Sequence, residues 1–180
     1  MNQPFQKIKH EEIYHGKVIN VCVDTVRYKD KNIKWEIVEQ GNSVVVLPMI
    51  DNNTFLLIHQ YRYTAGEYIW ELPAGRAHND ESLELCAQRE LEEECSYRAR
   101  SIKKILTYYP SPGVSTEIMH IFFATDLYEA QNACPDDDEI IRTEALPIDR
   151  IEAMIKNREI QDAKTILAIL YFKAYKHIFL

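Results

Sequence analysis

The chain has 180 residues, 46% of them hydrophobic and 27% charged, which is enough for one domain with a sizeable core and cramped for two. Lys+Arg 21 against Asp+Glu 28 gives a net charge of −7, so the chain lacks the positive footprint of a general nucleic-acid binder or of a protein drawn to anionic membranes. Only 5 glycines are present, which excludes collagen-like and Gly-rich disordered classes. The opening stretch MNQPFQKIKHEEIYHG is polar and carries no apolar signal core. The apolar runs Val44 to Ile50 and Ile166 to Phe172 fall far short of the ~18 residues of a membrane span. Cys22, Cys86, Cys95 and Cys134 form no C-x-x-C pair, and none stands at zinc spacing beside a histidine. Reduced thiols in a soluble, cytoplasmic protein are the expectation.

Residues 1–40 read as a β-rich piece. Val18 to Tyr28 and Ile33 to Glu39 are β-branched and aromatic runs flanking the polar turn Lys29-Asp30-Lys31-Asn32, the pattern of a hairpin. Gly41-Asn42 breaks that pattern and opens residues 41–180. Two buried strands are expected over Ser43 to Ile50 and Thr54 to Tyr61, joined by Asp51-Asn52-Asn53. After Leu72-Pro73-Ala74-Gly75, helical periodicity runs from Ser82 to Cys95. Strands follow over Ile102 to Tyr109 and Glu117 to Asp126, separated by Pro110-Ser111-Pro112-Gly113. Beyond an acidic loop from Cys134 to Glu139 come a short strand, a helix around Asp149 to Lys156, and a closing helix capped by Asp162. Strands and helices alternate loosely, so the expected class is α/β, a mixed sheet between helices.

The helix Ser82 to Cys95 carries its glutamates in an unusual place. At about 100° per residue with Leu83 at zero, Ala87, Leu91, Cys95 and Cys86 fall in one apolar sector. Glu92 lies opposite, near ~180°, where a solvated glutamate belongs. Glu90 near ~340° and Glu94 near ~20° lie inside the apolar sector, with Glu93 at its edge near ~280°. A carboxylate turned toward a core is costly unless it is paired or holds a cation. Two readings follow and periodicity does not separate them: hard oxygen ligands for Mg²⁺ or Mn²⁺, or a structural ion-pair network around Arg89.

Gly75, Glu81, Arg89, Glu90, Leu91, Glu93 and Glu94 stand at the spacing G-x5-E-x7-R-E-U-x-E-E, where U is apolar. Seven specified positions make this far more specific than a lone glycine loop. The pattern resembles the signature of the Nudix hydrolases. It departs at Ser96, where the family carries glycine, and at Tyr97, where it carries an apolar residue. That glycine position suits a left-handed helix terminus, so serine there is expected to cost stability without removing a ligand. The resemblance implies a Nudix-type α/β/α sandwich with a small N-terminal β-rich subdomain. It also implies Glu90, Glu94, Glu93 and the Ala74 carbonyl as metal ligands, Arg89 as the residue that positions the glutamates, and Glu81 as a brace for the loop before the helix.

Further segments resemble the ADP-ribose pyrophosphatase subfamily: Gln60-Tyr61-Arg62-Tyr63, Glu71-Leu72-Pro73-Ala74-Gly75, Asp162-Ala163-Lys164-Thr165, and Pro112, fifteen positions after Tyr97. Pro112 taken alone is a turn residue. By this resemblance Glu139 or Asp137, in the acidic loop, supplies the general base or a further ligand, with Glu139 preferred. Arg62 grips the phosphates, the alternative being a surface ion pair. Trp35 stacks on the adenine and Glu36 hydrogen-bonds it, the alternative for Trp35 being strand packing. The place of a second base-stacking aromatic falls near Val18. The implied activity is Mg²⁺- or Mn²⁺-dependent hydrolysis of ADP-ribose, or of another nucleotide sugar such as GDP-mannose, by a homodimer whose N-terminal piece exchanges between subunits. A module that only binds its ligand ranks lower, because every glutamate of the signature is present.

Overall fold

The computed structural model describes residues 4–78, 80–130 and 141–179. Cys134, Asp137 and Glu139 lie outside the described residues. The chain forms two compact units: residues up to Asn42 together with Tyr108–Met119, and Ser43–Thr107 together with the residues from His120 onward.

The first unit is built on a three-stranded antiparallel sheet in the order β1 (Gln6–His15), β2 (Asn20–Tyr28), β3 (Lys31–Glu39). The hairpin between β2 and β3 closes tightly, with Tyr28 opposite Lys31, and Lys29 enters the left-handed region at φ 52°. Strand β1 lies within the β-rich piece expected over residues 1–40, although the two strands expected there begin only at Val18. Ten consecutive half-polar positions carry no clean alternation, and pairing with β2 is what makes them a strand. The turn-rich 109–117 segment also belongs to this unit: the Val38 N–H donates to the Val114 carbonyl at 2.8 Å, and the Thr116 N–H to the Val38 carbonyl at 3.0 Å.

The second unit is built on a mixed seven-stranded sheet with main order β10–β5–β4–β9–β8. Its strands are β4 (Asn42–Asp51), β5 (Thr54–Arg62), β6 (Glu67–Glu71), β7 (Ala74–Arg76), β8 (Tyr97–Tyr108), β9 (Ile118–Glu129) and β10 (Ile141–Pro147), and its helices are α1 (Leu83–Cys95), α2 (Ile148–Lys156) and α3 (Ala163–Phe179). Because side chains alternate across a strand, the sheet buries two faces. Val44, Val46, Leu56, Ile58, Phe122 and Ala124 pack with Cys86, Ala87, Leu91 and Cys95 of α1. On the opposite face Phe172 of α3 meets Phe55 and Phe123, with ring centroids 5.1 Å and 5.3 Å apart. Helix, sheet and helix thus form the expected α/β/α layers. Two-sided burial also explains why Val44 to Leu47 is an unbroken apolar run.

The helix termini follow their sequence signals. The Ser82 hydroxyl accepts from the Leu85 N–H at 3.2 Å, and the Asp162 carboxylate accepts from the Thr165 N–H at 3.0 Å and its hydroxyl at 2.6 Å. Ser96 ends α1 in the left-handed conformation, φ 60° and ψ 28°, and its N–H caps the Glu92 carbonyl. Strands β6 and β7 were not legible in the sequence: β6 is five residues of aromatic and acidic mixture, and β7 is three residues beside Ser43 to Val45. Strand β8 begins at Tyr97, directly after α1, five residues earlier than the apolar pattern indicated.

Candidate active site

The helix α1 turns Glu90 and Glu94 inward as its periodicity requires. They are 8% and 6% exposed, while Glu92 and Glu93 are half-buried. Both buried carboxylates meet the short strand β7. The Ala74 N–H donates to Glu94 Oε2 at 2.8 Å. The Glu90 carboxylate lies so close over Gly75 that a β-carbon there would collide with it. Only glycine lets the backbone pass. At the other end of Glu94, its backbone carbonyl accepts from the Thr143 hydroxyl at 3.0 Å, which ties α1 to β10.

Arg89 organises the other carboxylates. Its Nε and Nη2 donate to the two oxygens of Glu81 at 3.0 Å and 3.1 Å, a bidentate pair. Its Nη1 donates to Glu90 at 2.7 Å and to Glu93 at 2.8 Å, and Nη2 also reaches the Arg76 carbonyl at 3.0 Å. Glu81 in turn accepts from the His78 N–H at 3.2 Å, so it braces the loop that leads into α1. The Arg89 hydrogen bonds hold the Glu81 carboxyl down to about 2, against an ordinary 4.5. Burial first, and then the negative charge of Glu90, push the Cys86 thiol up to about 12, so this cysteine is inert packing.

The donor set fits a hard divalent cation. Three carboxylates share one guanidinium, so that group of four carries net negative charge, and Glu94 adds a further buried carboxylate on the same helix. Such a group of oxygen donors suits Mg²⁺ or Mn²⁺ better than a soft ion. Of the two readings left open by periodicity, the ion pairs are present, since Arg89 pairs with Glu81, Glu90 and Glu93.

Arg62 ends β5 and is paired with Glu71 at the end of β6, through Nε at 2.8 Å and Nη2 at 2.7 Å. Glu71 is 3% exposed and is held on its other oxygen by Lys164 at 2.7 Å, which also pairs with Asp162 at 3.0 Å. The Leu72 N–H donates to the buried Thr165 hydroxyl at 2.8 Å. The Glu71-Leu72 and Asp162-to-Thr165 segments, far apart in the sequence, are therefore one connected network. Its contacts were not readable from the sequence, because 93 positions separate Glu71 from Lys164.

In the other unit, Trp35 is 43% exposed on β3, with its ring 5.7 Å from that of Phe5. Trp35, Glu36, Gly113 and Val114 line one cleft, so the residue after Pro112 lies beside the tryptophan. Pro112 itself is exposed, and Val18 is 56% exposed. His59 is stacked on Trp70 at 4.5 Å and His120 bonds the Thr107 hydroxyl at 3.0 Å, ordinary packing roles for both.

The NUDIX domain model matches residues 39–168. The chain belongs to the Nudix family. It is 36% identical over 168 residues to the ADP-ribose pyrophosphatase of Bacillus subtilis, covering 92% of this chain and 91% of that protein. It is 38% identical over 146 residues to the GDP-mannose pyrophosphatase of Yersinia enterocolitica, covering 76% and 75%. Among solved structures, an ADP compounds hydrolase superposes with a TM-score of 0.85, covering 96% of this chain and 94% of that one; at 18% identity the likeness is one of fold. No helix among the described residues is long and apolar enough to cross a membrane.

Proposed function

We propose that this Nudix chain hydrolyses the pyrophosphate bond of ADP-ribose, or of a closely related nucleoside diphosphate sugar, to AMP and a sugar phosphate. The observation that carries the reading is the pair of buried carboxylates, Glu90 and Glu94, held against Gly75 and Ala74. Likeness over most of the chain to an ADP-ribose pyrophosphatase supports the substrate class. Likeness to a GDP-mannose pyrophosphatase makes that nucleotide sugar the second reading.

In this reading Glu90, Glu93, Glu94 and the Ala74 carbonyl hold Mg²⁺ or Mn²⁺. A bound divalent cation polarises the pyrophosphate oxygens and lowers the pKa of the attacking water. Arg89 fixes the glutamates so that they need not reorganise when substrate arrives. Arg62, oriented from behind by Glu71, directs its guanidinium at a phosphate. Glu139 or Asp137 takes the proton of the attacking water. Trp35 and Glu36 receive the base, and Pro112 shapes the neighbouring loop. Residues 1–40 serve as the dimerisation and substrate subdomain of a homodimer, and residues 41–180 as the catalytic domain. The free, buried cysteines Cys22, Cys86 and Cys95 suit the reducing cytoplasm.

The test is turnover of ADP-ribose, ADP-glucose, GDP-mannose and NADH with Mg²⁺, each with an EDTA control, by wild type and Glu94→Gln. Glutamine retains an acceptor for the Ala74 N–H, so the fold should persist while turnover disappears. EDTA-sensitive hydrolysis of ADP-ribose that survives Glu94→Gln would remove this glutamate from the metal site. Preference for GDP-mannose would keep the mechanism and replace the substrate. Elution as a monomer on size exclusion would remove the dimer.

A further inference from the structure

The antiparallel register of β1 and β2 places His10 directly opposite Asp24 and Glu12 opposite Cys22. Residues two apart on a strand share a face, so Cys22, Asp24 and His10 converge on one side of the small sheet. Their ligand atoms, Nδ1, Sγ and a carboxylate oxygen, lie within 4.8 Å of one another. His10 Nδ1 is 2.7 Å from Asp24 Oδ1. Cys22 is 1% exposed and Asp24 7%, while the His10 side chain, on the edge strand, is 39% exposed and open to entry from solvent.

A structural ion pair accounts for part of this cluster, since Lys7 pairs with Asp24 Oδ2 at 2.8 Å. It does not account for the buried thiol. Lys7 is 60% exposed and engages Oδ2, the oxygen other than the one that faces His10. The combination of imidazole, thiolate and carboxylate is a borderline-soft set, the ligand chemistry of zinc and its neighbours and not of Mg²⁺ or Ca²⁺.

We propose that His10, Cys22 and Asp24 form a binding site for a zinc-class divalent cation that clips β1 to β2. This site is separate in residues and in ligand chemistry from the glutamates of α1. Binding exchanges the thiol proton for a metal–sulfur bond and releases that proton to solvent. A three-stranded sheet of this size gains much from such a crosslink, because it buries little apolar surface of its own.

The experiment adds Co²⁺ to the full chain in a large excess of Mg²⁺, which keeps the hard carboxylate site filled. The expected result is a near-ultraviolet thiolate-to-cobalt charge-transfer band that saturates at one equivalent and is displaced by Zn²⁺. Cys22→Ser should abolish the band, and His10→Ala should weaken Co²⁺ binding by roughly tenfold or more. Far-UV circular dichroism of both variants checks the fold. Should Cys22→Ser fail to fold, the exposed His10→Ala variant decides. Absence of the band in wild type, its survival in Cys22→Ser, or undiminished Co²⁺ affinity in His10→Ala would each overturn the proposal.

Discussion

The carboxylate of Glu90 fills the space that a β-carbon on Gly75 would need. This contact links the first residue of the Nudix signature to one of its buried acids, and it explains the glycine by close approach and not by backbone dihedral. Gly75→Ala must push the Glu90 side chain aside. Since Glu90 is also held by Arg89, the displacement spreads into the cluster. We expect kcat for nucleotide-sugar hydrolysis to fall by about a hundredfold, the scale of a 1 Å misplacement, with a nearly unchanged melting temperature. Unaltered kinetics would show that the position of Glu90 is not critical.

Arg89 uses both edges of its guanidinium, so its charge alone does not replace it. Lysine keeps one positive charge but cannot make the bidentate pair with Glu81 while reaching Glu90 and Glu93. Arg89→Lys should destabilise the chain by about 1–3 kcal/mol, with Arg89→Met worse because it leaves three carboxylates unneutralised. Urea unfolding, read as a shift in midpoint at constant slope, checks this.

Glu81 sets an acid limit on stability. Its folded value, about 2, lies below the ordinary 4.5, so the folded state favours the ionised form. That stabilisation is fully present above pH 4.5 and is lost as pH falls toward 2, and it amounts to about 3 kcal/mol at most. Glu81→Gln should therefore flatten the fall in unfolding free energy across this window and leave a lower plateau at neutral pH. An unchanged slope would mean that Glu81 is not held by Arg89.

Ser96 stands at φ 60°, a conformation that costs an L-residue roughly 1–2 kcal/mol relative to glycine. Ser96→Gly should recover about 1 kcal/mol, a rise in Tm of about 2–4 °C for a chain of this size. Turnover should not change, because the residue carries no proposed ligand.

The helix α1 is legible in the sequence because a period of 3.6 leaves little choice: once Leu83, Ala87 and Leu91 face the sheet, Glu90 and Glu94 must face it too. The strands β4 and β5 were legible for a similar reason, since long β-branched and apolar runs can only be buried. Strands β1, β6 and β7 were not, because their residues have weak intrinsic preference and become strands only when a partner supplies the hydrogen bonds.

The amino-acid sequence by itself determined the glutamate face of α1, which follows from helical periodicity, and it carried the family resemblance in the spacing of Gly75 to Glu94, from which the expected layer order came. Only the tertiary structure decided which groups meet across elements: Glu90 over Gly75, Glu94 on the Ala74 N–H, Glu71 between Arg62 and Lys164, and His10 beside Cys22 and Asp24. Those meetings depend on strand register and on contacts between positions far apart in the chain, which the packing of the sheet sets and no local pattern encodes.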